Sequence, residues 1–440
     1  MSFAFWRDQS LARATILASL VGGIVSCTPQ ALPTAQLTPV SPATVAPPPA
    51  ATIEPTVSPA LSPVPLPTQT AIVSAQPLTL TLWYALDKGS PDEQALTQAL
   101  AQAVNAKPGL TVSVTRISVD QIFSRFAKEV ASGAGPDLLL ASDDELGTEV
   151  RSKQMQPVDA WVQGNQTDVS PVAIAGLTLN GHQWGIPAAF KVVALMINTD
   201  KVKTAPASTA DLLKAVKAGA KIGINPNCFH NYGWYAAFGG AIFDGSFNTA
   251  LDKAEGTTAA FAFLKELKQA GGAANFYDDG NKADAAFAAG RLDMIVNGSW
   301  ALRDYRKALG AKVVVAPMPA GPKGPAAPLV SVDGFFINAT TKQAAAAAAL
   351  ALQLTNKDNQ LRFAETAGWV PVRADLNLND PALQAFAAQA GHGLNRPQVP
   401  ELGGYWSNFC GVYDAVLKNG AAPASAVKQA YDAMKIANGK

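Results

Sequence analysis

The alternation of strand-like and helix-like segments near the start of the folded region constrains this fold most. Apolar, β-prone runs alternate there with amphipathic segments, in the order Leu78–Trp83, Asp92–Asn105, Leu110–Ile117, Val119–Ser132 and Asp137–Leu140. This order predicts a βαβαβ unit, in which right-handed crossovers place three strands in a parallel sheet. We therefore predict an α/β protein whose ligand lies beyond the carboxyl ends of its strands.

The length of the chain indicates how many lobes it forms, and its charge indicates which partners to expect. The chain has 440 residues, and a single hydrophobic core stops growing at roughly 250–300 residues. The region that follows residue 77 is therefore predicted to form two lobes. The formal net charge is +1, and charged residues make up 15% of the chain. Such a balance gives no reason to expect a nucleic-acid partner.

The amino-terminal region has the composition of an export signal and a tether. Arg7 and Arg13 accompany the apolar run Ala14–Val25, which is too short to span a bilayer. The run leads into Ile-Val-Ser-Cys, which resembles a bacterial lipobox, so residues 1–26 are expected to be a signal peptide and Cys27 to carry a lipid. An ordinary signal peptide with a chance cysteine is the alternative. Thr28–Pro77 is rich in proline and lacks aromatic residues, so residues 27–77 are expected to form a disordered linker.

The segment Asp284–Trp300 predicts a strand that ends beside an aromatic ring. An alanine-rich helix is expected to end at Gly290, and a short buried strand to follow over Leu292–Val296. Asn297-Gly298 then predicts a turn, with Ser299 as the N-cap of a helix whose first turn carries Trp300. The residues alone leave open whether Trp300 contacts a ligand or belongs to the core.

Several segments of the chain, taken together, resemble elements of one known protein family. AAFAAGRLDMIVNGSW resembles a signature of the extracellular solute-binding proteins of ABC importers, in the maltose-binding-protein-like group. GAGPDLLLA, the segment that ends at Ile197–Asp200, and GWVPVR resemble further elements of this family in the same order. The resemblance extends over nearly all of Leu78–Lys440.

The resemblance implies a two-lobed, periplasmic-binding-protein-like (type II) α/β fold. Its lobes would be joined by crossing hinge strands near Ala188–Val193, Val315–Pro319 and Val372–Asp375. One lobe would comprise residues 78–190 and 317–374, and the other residues 191–316 and 375–440. A ligand bound between the lobes would favour a closed form.

Enzyme signatures are absent from the sequence. His182, His230 and His392 do not have the spacing of metal ligands, and GxSxG, P-loop and CxxC motifs are missing. We therefore predict no catalytic residue, metal site or cofactor. The run Asp143-Asp144-Glu145 after the third strand could be a solvated loop, part of a ligand site or one carboxylate of a hydrolase.

Residues suited to sugar binding follow several predicted strands. Aromatic rings stack on pyranose faces, whereas charged side chains bind hydroxyl groups. The candidate ligand-binding residues are Trp83, Tyr84, Asp87, Lys88, Asp143, Asp144, Glu145, Lys191, Phe229, His230, Tyr232, Trp300, Trp406 and Phe409, with Trp234 and Tyr405 in the same segments. For each single aromatic residue, core packing remains the alternative.

The resemblance also assigns some of these positions and exposes departures. Asp87-Lys88-Gly89 resembles the first ligand loop of maltodextrin binders, and Asp144 falls on a ligand-binding carboxylate. In contrast, Ala141 replaces an aromatic residue, Glu145 a basic residue and Lys191 a carboxylate. These departures weaken an assignment to maltose itself and leave the transport role intact.

The expected function is that of a monomeric, lipid-anchored binding protein that delivers a carbohydrate to ABC permease subunits. The alternatives are a binder of a polyamine or a metal–anion complex, and a glycan-active hydrolase.

Once Cys27 carries a lipid, Cys228 and Cys410 remain, which is an even number in an exported protein. They are expected to form a disulfide, with two separate buried thiols as the alternative.

Overall fold

The computed structural model describes residues 77–272, 277 and 279–439. The expected signal peptide, the lipidation site Cys27 and the linker up to residue 76 lie outside the described residues. None of the described helices combines the length and the apolar composition that crossing a bilayer requires.

The strands of the described region fall into two larger sheets and a small hairpin. In chain order they are β1 Leu78–Tyr84, β2 Leu110–Arg116, β3 Leu138–Ser142, β4 Met155–Gln156, β5 Thr178–Leu179, β6 His182–Gln183, β7 Gly185–Lys191, β8 Val193–Asn198, β9 Ile222–Gly223, β10 Met294–Gly298, β11 Val313–Ala316, β12 Leu329–Asn338, β13 Val370–Pro371 and β14 Leu394–Asn395.

Helices connect and cover these strands. In chain order they are α1 Pro91–Ala106, α2 Ile122–Ala131, α3 Leu146–Arg151, α4 Asp159–Val162, α5 Pro171–Gly176, α6 Thr209–Lys217, α7 Cys228–Asn231, α8 Gly233–Ala237, α9 Ala254–Gly271, α10 Gly280–Ala288, α11 Leu302–Leu309, α12 Ala344–Leu354, α13 Lys357–Ala367, α14 Pro381–Gly391, α15 Leu402–Gly404, α16 Gly411–Tyr413 and α17 Pro423–Asn438.

The larger sheet contains the predicted βαβαβ unit. Its strand order is β13-β7-β12-β3-β1-β2, with β4 and β14 also paired to β12. β1 pairs in parallel with both β2 and β3, and Leu82 lies opposite Val114 on one side and Leu138 on the other. The predicted parallel arrangement is therefore confirmed. β12 runs antiparallel to β3 and β7, which makes the whole sheet mixed.

A smaller sheet receives the chain directly from the larger one. Its order is β11-β8-β10-β9, with β8 antiparallel to both of its neighbours. β7 ends at Lys191 and β8 begins at Val193, so the chain passes between the sheets at the fully buried Val192. A single buried residue leaves little freedom for a loop at this crossing.

Each sheet packs against an apolar cluster of its own, and a further cluster contains side chains of both sheets, such as Phe190 and Met196. Helices α1, α12 and α13 cover one face of the larger sheet through leucine, alanine and phenylalanine side chains. The smaller sheet packs against an aromatic core in which Tyr235, Tyr405 and Tyr413 are almost completely buried. Tyr235 and Tyr413 share a hydrogen bond of 2.6 Å between their hydroxyl groups. This bond satisfies polar atoms that burial would otherwise leave without a partner.

The carboxyl-terminal region departs from regular helix geometry. The sequence pattern over Trp406–Leu417 predicts a single helix. Instead, short α-helical turns alternate with wider π-helical turns at Tyr405–Phe409 and Asp414–Lys418. The wide turns place Tyr405, Phe409 and Tyr413 together in the aromatic core, and packing of these rings outweighs regular helix geometry.

A disulfide ties α7 to this carboxyl-terminal region. Cys228 and Cys410 are bonded, with their Cα atoms 5.6 Å apart and a sequence separation of 182. The hydroxyl group of Tyr405 also donates to the carbonyl oxygen of Cys228 at 3.1 Å. The bridge therefore fixes the short helix α7 against the aromatic core.

Removing this bridge should destabilise the folded region. We expect Cys228→Ser/Cys410→Ser to lower the free energy of unfolding by about 2–5 kcal/mol, because the unfolded chain loses a long closed loop. Guanidinium denaturation of the two proteins under non-reducing conditions measures the difference. Alkylation of the unfolded, non-reduced wild-type protein is the control, and neither Cys228 nor Cys410 should react. Equal denaturation curves would contradict this role of the disulfide.

Candidate functional site

A half-exposed tryptophan stands at the end of the smaller sheet. Trp300 lies in the tight helical turn Ser299–Ala301 between β10 and α11, and 37% of its surface is exposed. Its ring centroid lies 6.0 Å from that of Phe229 and 5.9 Å from that of His230. The His230 ring meets the Trp300 ring edge to face, at an interplanar angle of 86°. These two rings hold Trp300 while leaving part of it open to solvent.

The Trp300 ring lies directly on Gly298. A Cβ atom at Gly298 would come within 2.1 Å of the Trp300 ring, a distance that no side chain tolerates. The predicted turn at Asn297-Gly298 is wrong, because β10 continues through both residues. Ser299 does not cap the following helix as predicted, and Gly298 and Ala301 hold the two cap positions. The glycine is needed for close approach of the ring, and this need replaces the turn inferred from the sequence.

A buried polar network supports His230 from behind. His230 Nε2 lies 3.0 Å from Asn297 Oδ1, which also accepts from the Gly298 amide at 2.7 Å. Asn297 Nδ2 in turn donates to Asp284 at 2.7 Å and to the Tyr305 hydroxyl group at 2.7 Å. Burial lowers the pKa of His230 to about 4, although the hydrogen bond to Asn297 acts in the opposite direction. The imidazole is therefore neutral at pH 7.

A group of charged side chains lies where β7, β12 and β3 meet. Lys191 Nζ forms an ion pair with Asp333 Oδ1 at 3.0 Å. Lys191 lies opposite Ser331 in the β7–β12 ladder, two residues from Asp333 along β12, so these side chains share one face. Burial alone would lower the pKa of Lys191, but the charges of Asp333 and Asp144 outweigh it, and the pKa is raised. Lys191 therefore remains charged.

Two adjacent aspartates follow β3 and differ sharply in environment. Asp144 forms an ion pair with Arg396, whose side chain is only 14% exposed. Asp143 is completely buried, and neither carboxyl oxygen has a side-chain hydrogen-bond partner within the described region. Burial raises the pKa of Asp143 to about 8, although the positive charge of Arg396 opposes the shift. Asp143 is thus protonated at pH 7, whereas Asp144 is held by a cation.

An ion pair joins the region of the larger sheet to the helix that follows Trp300. Asp92, in the first turn of α1, is paired with Arg303 of α11 and accepts a hydrogen bond from Trp369 Nε1 at 2.6 Å. The Asp92 charge also acts on Asp333 and raises its pKa, as a smaller contribution than burial. Asp92 therefore joins α1, which covers the larger sheet, to α11, the helix that follows Trp300.

This arrangement can bind a polar ligand with an apolar face. The aromatic group offers a half-exposed ring for stacking, and the charged group offers oriented hydrogen-bonding atoms. No set of three or more His, Cys, Asp or Glu side chains within the described residues could hold a metal ion.

The profile of the family described as "Bacterial extracellular solute-binding protein" matches residues 99–390. This match covers well over half of the chain. The chain belongs to this family.

Relatives and solved structures agree with the match. The maltotriose-binding protein of Pyrococcus abyssi is 26% identical over an alignment of 366 residues that covers 77% of this chain and 78% of the relative. The maltodextrin-binding protein of Bacillus subtilis is 22% identical over 68% of this chain and 76% of its own length. The Thermus thermophilus maltotriose-binding protein bound with maltotriose superposes with a TM-score of 0.68 at 27% identity, over 82% of this chain and all of that one (100%).

The fold is shown by a further structure. A cyclo/maltodextrin-binding protein complexed with maltotetraose gives a TM-score of 0.72 at 24% identity, over 83% of this chain and 98% of that chain. This solute-binding protein thus has the two-lobed type II fold expected from the sequence. Its larger and smaller sheets are the centres of the two lobes.

Some predicted site residues of the solute-binding protein belong to the packed interior. The first strand was expected to end at Trp83, but β1 continues through Tyr84, and the exposed fractions of Trp83 and Tyr84 are 7% and 6%. The guanidinium group of Arg125 covers the Trp83 ring at 4.7 Å, and the Tyr84 hydroxyl group donates to Glu93 at 2.7 Å. Both rings therefore pack in the core, which is the alternative that the sequence left open for each aromatic residue.

The aromatic candidates of the second lobe include both buried and partly exposed residues. Tyr232, Trp234, Tyr405 and Phe409 are buried in the aromatic core, whereas Phe229 and Trp406 are partly exposed. Among the first-lobe candidates, Asp87, Lys88 and Glu145 are exposed. Asp87 and Lys88 lie in the loop after β1, as the sequence predicts, whereas Glu145 ends a tight helical turn over Asp143–Glu145. Within the described region, no ion pair or ring contact joins these three side chains to the aromatic group.

Four charged residues of the site were missed by sequence reasoning. Asp92 and Arg303 lie in helices, where charged residues are ordinary, and their sequence positions carry no signal of the contact. Asp333 is the one charged residue of the mostly apolar β12, and that charge is a signal that could have been used. Arg396 lies in an irregular segment that reaches Asp144 only through the tertiary fold.

Substitution of Gly298 should displace the Trp300 ring. The backbone φ of Gly298 is −86°, which alanine adopts freely, so the expected effect of Gly298→Ala comes from the ring contact alone. We expect a loss of about 1–3 kcal/mol in unfolding free energy, together with greater quenching of Trp300 fluorescence by acrylamide. Gly403→Ala is the matched control, because a Cβ atom there meets no atom within 4 Å.

The contribution of Trp300 must be separated from that of the other tryptophans. The same pair of glycine variants in a Trp300→Phe background gives that separation, since the change in quenching should then disappear. Unchanged quenching in Gly298→Ala itself would show that the ring does not depend on this close contact.

The buried Asp143 should make stability depend on pH. In the unfolded chain an aspartate loses its proton near pH 4, whereas folded Asp143 keeps it to about pH 8. Its contribution to stability is therefore present below pH 4 and is lost as the pH rises to 8. We expect Asp143→Asn to gain stability relative to wild type over this range, by more than about 1.4 kcal/mol, the equivalent of one pKa unit.

Thermal or urea unfolding of both proteins between pH 4 and 9 measures this difference. Asp120→Asn, at an exposed position, is the control and should show a constant difference from wild type. A constant difference for Asp143→Asn as well would contradict a protonated Asp143 in the folded protein.

Proposed function

We propose that this protein is the substrate-binding component of a carbohydrate ABC importer and that it captures a maltooligosaccharide between its two lobes. The half-exposed Trp300, held by Phe229 and His230, carries this proposal. The named relatives that bind maltotriose and maltodextrin support the same class of ligand.

The aromatic group suits one face of a glucose unit. A pyranose ring has an apolar face of axial C–H groups, and an indole ring binds such a face by dispersion and by desolvation. His230 is neutral, and its Nε2 atom is already bonded to Asn297. The two rings that flank Trp300, those of Phe229 and His230, therefore carry no net charge. The absence of a charge on these flanking rings favours an uncharged sugar ring over a charged ligand.

The charged group suits hydroxyl groups of the same ligand. Asp144 and Asp333 are each paired with a cation, and Asp143 is protonated at pH 7, so the local charges balance. Paired carboxylates still accept hydrogen bonds through their remaining lone pairs. A polyamine would require carboxylates without such partners, and the pairing therefore favours a neutral, hydroxyl-rich solute.

Binding would proceed by closure of the two lobes around the sugar. The crossing at Val192 and the segment between β11 and β12 connect the lobes, and these segments are suited to act as hinges. The closed protein would then deliver its unchanged ligand to permease subunits in the membrane. In this proposal the protein acts as a monomer, and the Ile-Val-Ser-Cys sequence supports a lipid on Cys27 that anchors the protein at the outer face of the cell membrane.

Calorimetry with glucose and with maltooligosaccharides of increasing length tests the proposal. We expect binding of the oligosaccharides, and we expect Trp300→Ala to weaken it by about 2–4 kcal/mol, as truncation of a central aromatic anchor does. Asp144→Asn should weaken binding less, because a neutral amide oxygen still accepts one hydrogen bond. The measurement is the dissociation constant of each variant at one salt concentration.

Two matched variants control for general effects. Trp161→Ala removes a partly buried tryptophan from α4, and Asp120→Asn removes an exposed carboxylate, so both should retain wild-type affinity. The assignment is wrong if no oligosaccharide binds to the wild-type protein. Wild-type affinity in Trp300→Ala would show that the ligand does not bind at the aromatic group.

A further inference from the structure

The segment after β14 is fastened to the turn that carries Asp143 and Asp144. The Arg396 amide donates to the Val330 carbonyl oxygen at 3.0 Å and so continues the pairing of β14 with β12. Gln398 Oε1 accepts from the Gly147 amide at 3.2 Å, and Gln398 Nε2 donates to the Asp143 carbonyl oxygen at 3.1 Å. These bonds set the position from which the Arg396 side chain reaches Asp144.

The fit between this segment and α3 is close. A Cβ atom at Gly147 would lie 2.3 Å from the Gln398 carbonyl oxygen, so only glycine permits the approach. Arg151 donates to the same carbonyl oxygen at 3.0 Å. Backbone and side chain are thus both fixed, which restricts Arg396 to a narrow range of positions beside Asp144.

Arg396 supplies the charge that Asp144 needs. The neighbouring Lys191 is already paired with Asp333 at 3.0 Å, and Glu145, next in sequence to Asp144, is itself a carboxylate. Without Arg396, Asp144 would have Asp143 and Asp333 as charged or polar neighbours and would share a single cation with Asp333. A carboxylate in that position would turn away from its negatively charged neighbours, because like charges repel.

The other side of Arg396 faces an aromatic residue of the second lobe. Its guanidinium carbon lies 5.6 Å from the centroid of the Trp406 ring, within the range of a cation–π contact. Trp406 packs against the aromatic core, with its ring 4.8 Å from that of Tyr405. Arg396 therefore lies between a carboxylate of the first lobe and a partly exposed ring of the second.

We infer that Arg396 is a positioning residue of the ligand site, which orients the Asp144 carboxylate toward a sugar hydroxyl and holds it in register with the Trp406 ring. This inference rests on the proposed sugar-binding function. A planar guanidinium group can bind a carboxylate and an aromatic face at the same time, which a lysine ammonium group does less well. Arg396 would act through Asp144 and need not touch the ligand.

A double-mutant cycle in the full-length protein tests this role. With maltotriose and longer maltooligosaccharides as probes, Arg396→Gln should raise the dissociation constant about tenfold or more, because a carboxylate loses its partner. In the Asp144→Asn background the same substitution should change the dissociation constant less than about twofold, because there is no carboxylate left to orient. Arg396→Lys should recover part of the lost affinity. Arg291→Gln, at an exposed site, is the control and should bind as wild type does.

Stability measurements separate positioning from folding. Each variant is also melted without ligand, and coupling between the two sites must be present in the binding data and not only in the melting temperatures. An equal effect of Arg396→Gln in both backgrounds would overturn the inference, as would wild-type affinity in Arg396→Gln. If Arg396→Gln does not fold, Arg396→Lys in the two backgrounds decides, with an affinity loss expected only where Asp144 is present.

The outcome also distinguishes this inference from the function on which it rests. Absence of binding by the wild-type protein would reject the proposed function itself. Binding that depends on Trp300 and Asp144 but not on Arg396 would retain the function and reject the inference alone.

Discussion

The antiparallel pairing of β7 with β12 is the interaction on which the rest of the site depends. β12 is the only strand of the described larger sheet that pairs with both β3 and β7, and β7 leads directly into the smaller sheet through Val192. The register of this ladder places Lys191 opposite Ser331 and near Asp333. The same hydrogen bonds therefore build the sheet, set the position of the crossing at Val192 and bring opposite charges onto one face.

The two halves of the site are stabilised in different ways. Around Trp300, close packing dominates, since Gly298 leaves room for the ring and Phe229 and His230 flank it. Around Asp144, electrostatic attraction dominates, because the carboxylate forms an ion pair with Arg396, which is distant in sequence. A ligand that meets both halves must offer an apolar face and a hydroxyl-bearing edge, which is the chemistry of a pyranose ring.

Local patterns in the sequence predicted the fold well and the site only in part. Alternating apolar segments gave β1, α1, β2, α2 and β3, because each forms from neighbouring residues under strong periodicity. The predicted first strand ends one residue too early, at Trp83, and a boundary shift of this size decides whether the Tyr84 ring lies in the strand or in the loop. Asp92, Arg303 and Arg396 acquire their partners through tertiary contacts between segments far apart in sequence, and no local pattern encodes such contacts.

The disulfide has a consequence for the order in which the molecule is assembled. Cys228 begins the short helix that carries Phe229 and His230, whereas its partner Cys410 follows 182 residues later. The first three strands lie within residues 78–142, so they can pair before Cys410 has been synthesised. The bridge that fixes α7 can close only after Cys410 is present. The parallel strands are thus available early, and the packing of Phe229 and His230 around Trp300 is secured later.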